Sequence, residues 1–222
     1  MVGFAAVERE AARRQGGTEA LAALLPEPRS AAELTALTDG YFLSQMCLRI
    51  FRAGLKHAVV DAKWPGFEEV FLAFEPARVS AISDESLERM LNDKRVIRHW
   101  GKIKAVRENA AAMCELVERH GRFGVYLADW PAERIVDLWD EIAKRFTQMG
   151  GNSTPYFLRM IGKDTFILTD AVVQALNHWR AHEGTPKAKG ERRRVQQVFN
   201  AWASETGRPL CQLSRILALS VD

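Results

Sequence analysis

One period runs through this chain. Apolar residues recur every three or four positions over nearly its whole length, and nowhere do they sustain the two-residue alternation of a half-buried strand. Ile103, Val106, Ala110, Met113 and Val117 form one such stripe, Ile135, Leu138, Trp139, Ile142 and Phe146 another, and Val195, Phe199 and Trp202 a third. Stripes of this kind bury one face of a helix against its neighbours. No G-x-G-x-x-G follows a strand and no internal repeat is visible, so the expected fold class is all-α. With 222 residues, 47% of them hydrophobic and 27% charged, the chain can build a core that needs no staples. No apolar run approaches the ~20 residues of a membrane span, and the N-terminus lacks a secretory apolar region. Cys47, Cys114 and Cys211 are far apart and odd in number, which argues against a disulfide framework and for a reducing compartment. The expected location is cytoplasmic, with no membrane partner.

Punctuation residues divide the helices. Residues 1–40 are alanine-rich and read as an N-terminal helical extension, with a weak helix over 4–14 and capping-box spacing from Ser30 to Glu33. Asp39 is placed to cap a helix over 40–54 whose apolar residues (Phe42, Leu43, Met46, Cys47, Leu48, Ile50, Phe51) run nearly all round, which makes it central and buried. Pro65-Gly66 predicts a break, followed by helical spacing of Phe67, Val70, Phe71 and Phe74 up to Pro76. Ser83 caps a short helix and Pro131 opens another. A short helix over 156–161 stops at Gly162. One over 170–182 follows, then one from Glu191 and a C-terminal helical tail.

Three features carry chemistry. The segment 141–161 reads as helix, glycine turn, helix. Such a turn exposes backbone N–H groups at a helix N-terminus, where they bind phosphate, with Gly150 and Gly151 giving close approach and Ser153, Thr154 and Pro155 opening the second helix. Asp170 follows Gly151 by nineteen residues, after the apolar stretch Phe166-Ile167-Leu168-Thr169, and either caps its helix or serves a reaction. Between Arg180 and Arg194 stand six basic residues (Arg180, Lys187, Lys189, Arg192, Arg193, Arg194) and two acidic ones, a local +4 in a chain of net charge +3. That cluster is either a solvated loop or a contact to nucleic-acid phosphates.

The hairpin-to-aspartate spacing resembles the helix-hairpin-helix DNA glycosylases. A longer resemblance names the family. Cys47-Leu48-Arg49-Ile50-Phe51-Arg52-Ala53-Gly54-Leu55-Lys56-His57 looks like the opening motif of the 3-methyladenine DNA glycosylase I family. The likeness continues through Phe71-Leu72-Ala73-Phe74-Glu75-Pro76 and Ile97-Arg98-His99-Trp100-Gly101-Lys102-Ile103 to Asn109-Ala110. Three departures stand out. The family's base-contacting glutamate is Arg49 here, its motif-ending tryptophan is His57, and its zinc ligands have no counterpart, so no metal or other cofactor is expected.

The resemblance implies a helix-hairpin-helix glycosylase-like bundle over 41–185, with 186–222 as basic loop and C-terminal helices packed on it. It implies a monofunctional DNA glycosylase acting on an alkylated, 3-methyladenine-like purine in base excision repair, because Ser153 occupies the position of the Schiff-base lysine found in combined glycosylase/lyases. Asp170 is the implied catalytic carboxylate, with Phe42, Phe51, Trp64 and Trp100 as walls of a pocket that also holds Arg49 and His57. Arg49 is left with two readings: it meets the base, or it pairs with Asp170 or Asp61. The partner is double-stranded DNA with a damaged base, contacted through Gly150, Gly151, Ser153, Thr154, Lys187, Lys189, Arg192, Arg193 and Arg194, by a monomer. The competing function is a DNA-binding protein of the same fold that recognises damage without excising it.

Overall fold

The computed structural model describes residues 3–221. Residues 1, 2 and 222, at the ends of the expected segments 1–40 and 186–222, lie outside the described residues. Among the described residues there are α-helices, short 3-10 turns and coil, and no strand. The fold is all-α. Two compact units divide the chain: a terminal unit of Met1–Arg29, Trp130–Trp139 and Gly162–Asp222, and an internal unit of Ser30–Asp129 and Asp140–Ile161.

The internal unit is organised on the helix Asp39–Arg52, whose Phe42, Leu43, Met46, Cys47, Leu48, Ile50 and Phe51 are all buried, as the all-round apolar pattern predicts. Its cap differs from the sequence reading. Thr38, not Asp39, accepts the Tyr41 N–H, at 3.1 Å. The hydroxyl one position earlier takes the capping role and leaves the Asp39 carboxylate to accept the Phe123 N–H at 2.8 Å, tying a second helix down. That second helix, Phe123–Ala128, packs on Ala31–Ala36. There a Cβ on Gly124 would stand 2.5 Å from the Leu34 carbonyl oxygen. Ser30 and Glu33 form the expected capping box.

Pro65 does not break the chain. The helix His57–Val70 passes straight through it. Proline inside a helix forfeits one hydrogen bond and costs roughly 3 kcal/mol. Here Trp64, Phe67, Phe71 and Phe74 close into a four-membered cluster of nearly parallel rings, with neighbouring centroids 4.9–6.0 Å apart, and burying such rings contributes roughly 1.5–3 kcal/mol each. Gly66 marks a close approach rather than a turn: a Cβ there would meet Arg95 at 2.8 Å. The helical spacing of Phe67 to Phe74 also misleads at its end. Leu72, Ala73 and Phe74 are left-handed, at φ 54°, 54° and 55°, a tight turn that leaves Phe74 wholly buried in the cluster.

The long helix Trp100–His120 carries the predicted stripe and is capped by His99, whose Nδ1 accepts the Lys102 N–H at 3.3 Å. The short helices Pro76–Ser80 and Asp84–Met90 pack on it, the latter capped by Ser83 as expected. In the terminal unit Phe166 stacks on Phe199 with centroids 4.3 Å apart, flanked by Trp139, Trp202 and Phe4. Beyond the helix Ile135–Arg145, whose first turns belong to this unit, the stretch from Gly162 reaches Asp170–His178 through extended, buried Phe166 and Ile167. That helix ends earlier than expected, because Arg180 turns left-handed at φ 53°. The helix Lys189–Thr206 begins two residues before Glu191, whose carboxylate accepts the Ala188 N–H at 2.8 Å. The tail forms Leu210–Leu219, its first N–H groups capped by the Asp164 carboxylate at 2.9 and 2.8 Å.

Candidate functional site

The glycine turn lies in the internal unit, between Ile135–Arg145 and the eight-residue helix Ser153–Met160. Gln148 and Gly151 take left-handed φ of 63° and 58°. Gly150 and Gly151 are exposed, and a Cβ added to either would meet no heavy atom within 4 Å. Backbone can therefore approach a large ligand such as a phosphodiester closely here. The turn is held from beneath. Asn109, wholly buried in the long helix, donates to the Thr147 carbonyl at 3.1 Å and accepts the Thr147 N–H at 2.7 Å. Thr147 Oγ1 donates to Glu108 at 2.8 Å, and Gln148 Nε2 to the Gly101 carbonyl at 2.8 Å. Thr154 is corrected: its side chain is wholly buried and donates to the Met149 carbonyl at 2.6 Å, closing the turn instead of reaching outward. Ser153 stays half-buried at the helix start, its N–H bonded to the Gly150 carbonyl.

Ser153–Met160 packs on Asp39–Arg52, and this brings Tyr156 to Arg49. The guanidinium carbon stands 4.6 Å from the ring centroid, a cation–π contact worth roughly 0.5–2 kcal/mol. The expected ion pair with Asp61 does not form. Asp61 is taken by Arg52 at 2.8 Å, nine residues away on the neighbouring helix, while Arg49 Nε is buried without a hydrogen-bond partner. Burial draws the Arg49 guanidinium below its ordinary pKa, with Tyr156 opposing and Arg52 adding to the fall. Lys102, only 7% exposed, sits near it. Its ammonium donates to the Ala53 and Phe51 carbonyls at 2.6 and 3.3 Å, capping the helix that bears Arg49. Burial, and then the Arg49 charge, pull Lys102 down as well.

The other pocket candidates separate. Phe42 and Phe51 are wholly buried, edge-on to Phe123 and Phe67 at 5.5 and 4.6 Å, so neither ring offers a face to a ligand; they are core. Trp64 is half-buried, its Nε1 donating to Ser44 at 3.2 Å. His57 is exposed at the start of its helix, and Trp100 is 41% exposed. Asn109, Lys102 and Tyr156 escape the sequence reading. Asn109 and Lys102 stand there within the resembling motifs without a role, Asn109 as a polar residue inside the stripe of Val106, Ala110 and Met113.

In the terminal unit, Asp170 is the first residue of Asp170–His178 and is exposed, while Thr169 caps the helix by accepting the Val172 N–H at 3.2 Å. The capping alternative for Asp170 thus goes to its neighbour, and its carboxylate makes no hydrogen bond within the described residues. The basic cluster is partly neutralised. Arg193 is held by Asp137 at 2.6 Å, and its donated hydrogen bonds hold the Asp137 carboxyl below the usual range. Lys187 and Arg194 are exposed and form no ion pair among the described residues, Lys189 is exposed, and Arg192 is half-buried. A cleft of about 650 Å³ in this unit is lined by Glu27, Glu133, Asp164, Asn200 and Arg208, a set too acidic for a DNA phosphate. No group of three or more potential metal ligands occurs among the described residues, and no helix there is long and apolar enough to cross a membrane.

The model of the methyladenine glycosylase family matches residues 35–153. That span holds Arg49, His57, Asn109 and the glycine turn, and it ends before Asp170. DNA-3-methyladenine glycosylase 1 of Escherichia coli (strain K12) is 38% identical over 85 residues, which are 38% of this chain and 45% of that protein. The chain thus spans less than half the length of the curated relative it matches. A crystal structure of 3-methyladenine DNA glycosylase I superposes with a TM-score of 0.51 at 24% identity, covering 63% of this chain and 83% of that one. The Staphylococcus aureus 3-methyladenine DNA glycosylase I gives 0.51 at 20% identity over 57% and 77%. These likenesses establish the fold.

Proposed function

The chain belongs to the methyladenine glycosylase family, and from that premise we propose that it is a cytoplasmic, monofunctional DNA glycosylase that hydrolyses the N-glycosidic bond of a damaged purine in duplex DNA, as a step of base excision repair. The relatives named for 3-methyladenine make an alkylated purine the reference substrate. One observation carries the reading: the family match spans the glycine turn, whose backbone is open above Gly150 and Gly151 and fixed below by Asn109, as a phosphate grip requires.

Chemistry on a stacked base requires the nucleotide to be rotated out of the duplex. The open backbone of Gly150 and Gly151, with its N–H groups, fixes the phosphates beside the rotated nucleotide, aided by the positive end of the dipole of Ser153–Met160. Lys187, Lys189, Arg192, Arg193 and Arg194 add a diffuse attraction that releases counterions. Asp170 then stabilises positive charge developing on the sugar, or orients the attacking water. No lysine stands in the turn to form a Schiff base, so water is the nucleophile and the product is an intact abasic site.

The second reading, a DNA-binding protein of this fold without excision, is favoured by Arg49 and exposed His57 standing where the family resemblance leads to a glutamate and a tryptophan. Duplexes carrying an alkylated or a deaminated purine, incubated with wild type and with Asp170→Asn and followed by chromatography of free bases, separate the two. Release by wild type that is abolished in the variant, at nearly equal duplex affinity, supports excision. Equal release removes Asp170 from the mechanism, and binding without release by either protein supports the second reading.

A further inference from the structure

Among the described residues, no ion pair balances the charge of Arg49. Asp61 is committed to Arg52, the Arg49 guanidinium lies on Tyr156, and its Nε is buried without an acceptor. The second buried cation, Lys102, is occupied with two backbone carbonyls and is drawn below its ordinary pKa by burial and by Arg49. A half-buried guanidinium whose Nε is out of water and unpaired costs stability unless something arrives to use the group. Its donors are laid out as a planar fork, one face covered by Tyr156 at 4.6 Å, so hydrogen bonds leave it edgewise.

We propose that Arg49, steadied by Tyr156, is the residue that selects the base, and that it selects an uncharged purine presenting two adjacent acceptors, a ring nitrogen and a carbonyl oxygen, rather than a cationic N-alkylpurine. The proposal rests on the glycosylase reading above and names the substrate class of that activity. Charge comes first. A purine made cationic by alkylation meets the Arg49 charge, which no ion pair among the described residues neutralises, in a partly desolvated site and is repelled. The donor pattern agrees, since a guanidinium fork matches the O6 and N7 acceptors of a 6-oxopurine edge in a bidentate pair. Leaving-group chemistry points the same way. When the bond between C1′ and N9 breaks, its electron pair departs with the base. An N-alkylated cation leaves as a neutral molecule without help, whereas an uncharged purine leaves as an anion. Arg49, hydrogen-bonded to O6 and N7, takes up that developing negative charge. Water adds its oxygen to C1′, and the proton it gives up ends on the departed base.

Hypoxanthine and 3-methyladenine are the probes, each within a defined duplex, where the alkylated base is a cation. Wild type is expected to release hypoxanthine at least tenfold faster than 3-methyladenine. Arg49→Glu is expected to reverse the order, and Arg49→Met to erase it should the glutamate variant fail to fold by circular dichroism. Arg49→Lys, which keeps the charge without the fork, should still reject 3-methyladenine while losing most of the hypoxanthine release. Faster release of 3-methyladenine by wild type, or a ratio unmoved by Arg49→Glu and Arg49→Met, overturns the proposal while leaving glycosylase activity standing. If wild type releases neither base, the activity fails and titration of the two intact duplexes, in which the alkylated base keeps its charge, followed by tryptophan fluorescence, decides the selectivity alone. There, at least tenfold tighter binding of hypoxanthine, lost in the variants, upholds it, and equal affinities overturn it.

Discussion

Asn109→Ala should loosen the glycine turn before it touches anything else. Asn109 is wholly buried, and its amide makes a two-way pair with Thr147, at 3.1 Å outward and 2.7 Å inward. Each hydrogen bond contributes about 0.5–1.5 kcal/mol net, and a buried group left unsatisfied costs about 1–3 kcal/mol. Thr147 itself is exposed, so water recovers part of its backbone bonding and the loss stays toward the low end. The expected destabilisation is about 2–3 kcal/mol, which for a chain of this size lowers the melting temperature by roughly 4–12 °C. The functional signature separates this from an ordinary core defect. Duplex affinity should fall at a temperature where circular dichroism shows the variant fully folded, because the turn is no longer held in its phosphate-binding shape. Urea melts with fluorescence-polarisation titrations test both effects. A stability change below about 0.5 kcal/mol, or a destabilised variant that binds duplex as wild type does, would refute the idea that Asn109 positions the turn.

Other outcomes follow from single contacts. Gly124→Ala drives a Cβ to 2.5 Å from the Leu34 carbonyl oxygen, a backbone atom that cannot rotate away, and should cost about 1–3 kcal/mol in a urea melt. Arg194→Ala and Lys187→Ala should each weaken binding to all duplexes alike and reduce the salt slope by about 1, while Arg193→Ala, whose charge is held by Asp137, should change it less. The Asp137 carboxyl is held low by Arg193, so its contribution is present above the ordinary carboxylate range and vanishes as pH falls through the depressed folded value. Asp137→Asn should therefore lower stability at pH 7, by less than about 1 kcal/mol for so exposed a pair, and leave it unchanged near pH 2; equal effects at both would exclude the ion pair.

The stripes that define an all-α chain are legible because burial on one helix face is a local pattern. Thr38, Thr169 and Pro65 show where local reasoning stops. Asp39 and Asp170 each follow a threonine, and either residue type caps well, so only the backbone position of the first turn decides between them. Proline signals a break through its missing N–H, yet the ring cluster of Trp64, Phe67, Phe71 and Phe74 assembles from residues whose stacking no window reveals. The same applies to Phe42 and Phe51, aromatic residues that read as pocket walls and fold into the core. Arg49 is conspicuous in an apolar helix, but its neighbour Tyr156 lies more than a hundred residues away in sequence and becomes visible only once the two helices pack.

The most direct measurement is a single-turnover incubation with protein in excess over a duplex carrying one modified purine, counting free base and abasic sites in the same sample. Hydrolytic excision predicts the two in equal amounts, strands that break only after alkaline treatment, and no covalent adduct on adding borohydride. Duplex that is bound yet retains every base would contradict excision, and a borohydride-trapped adduct would contradict hydrolysis by water.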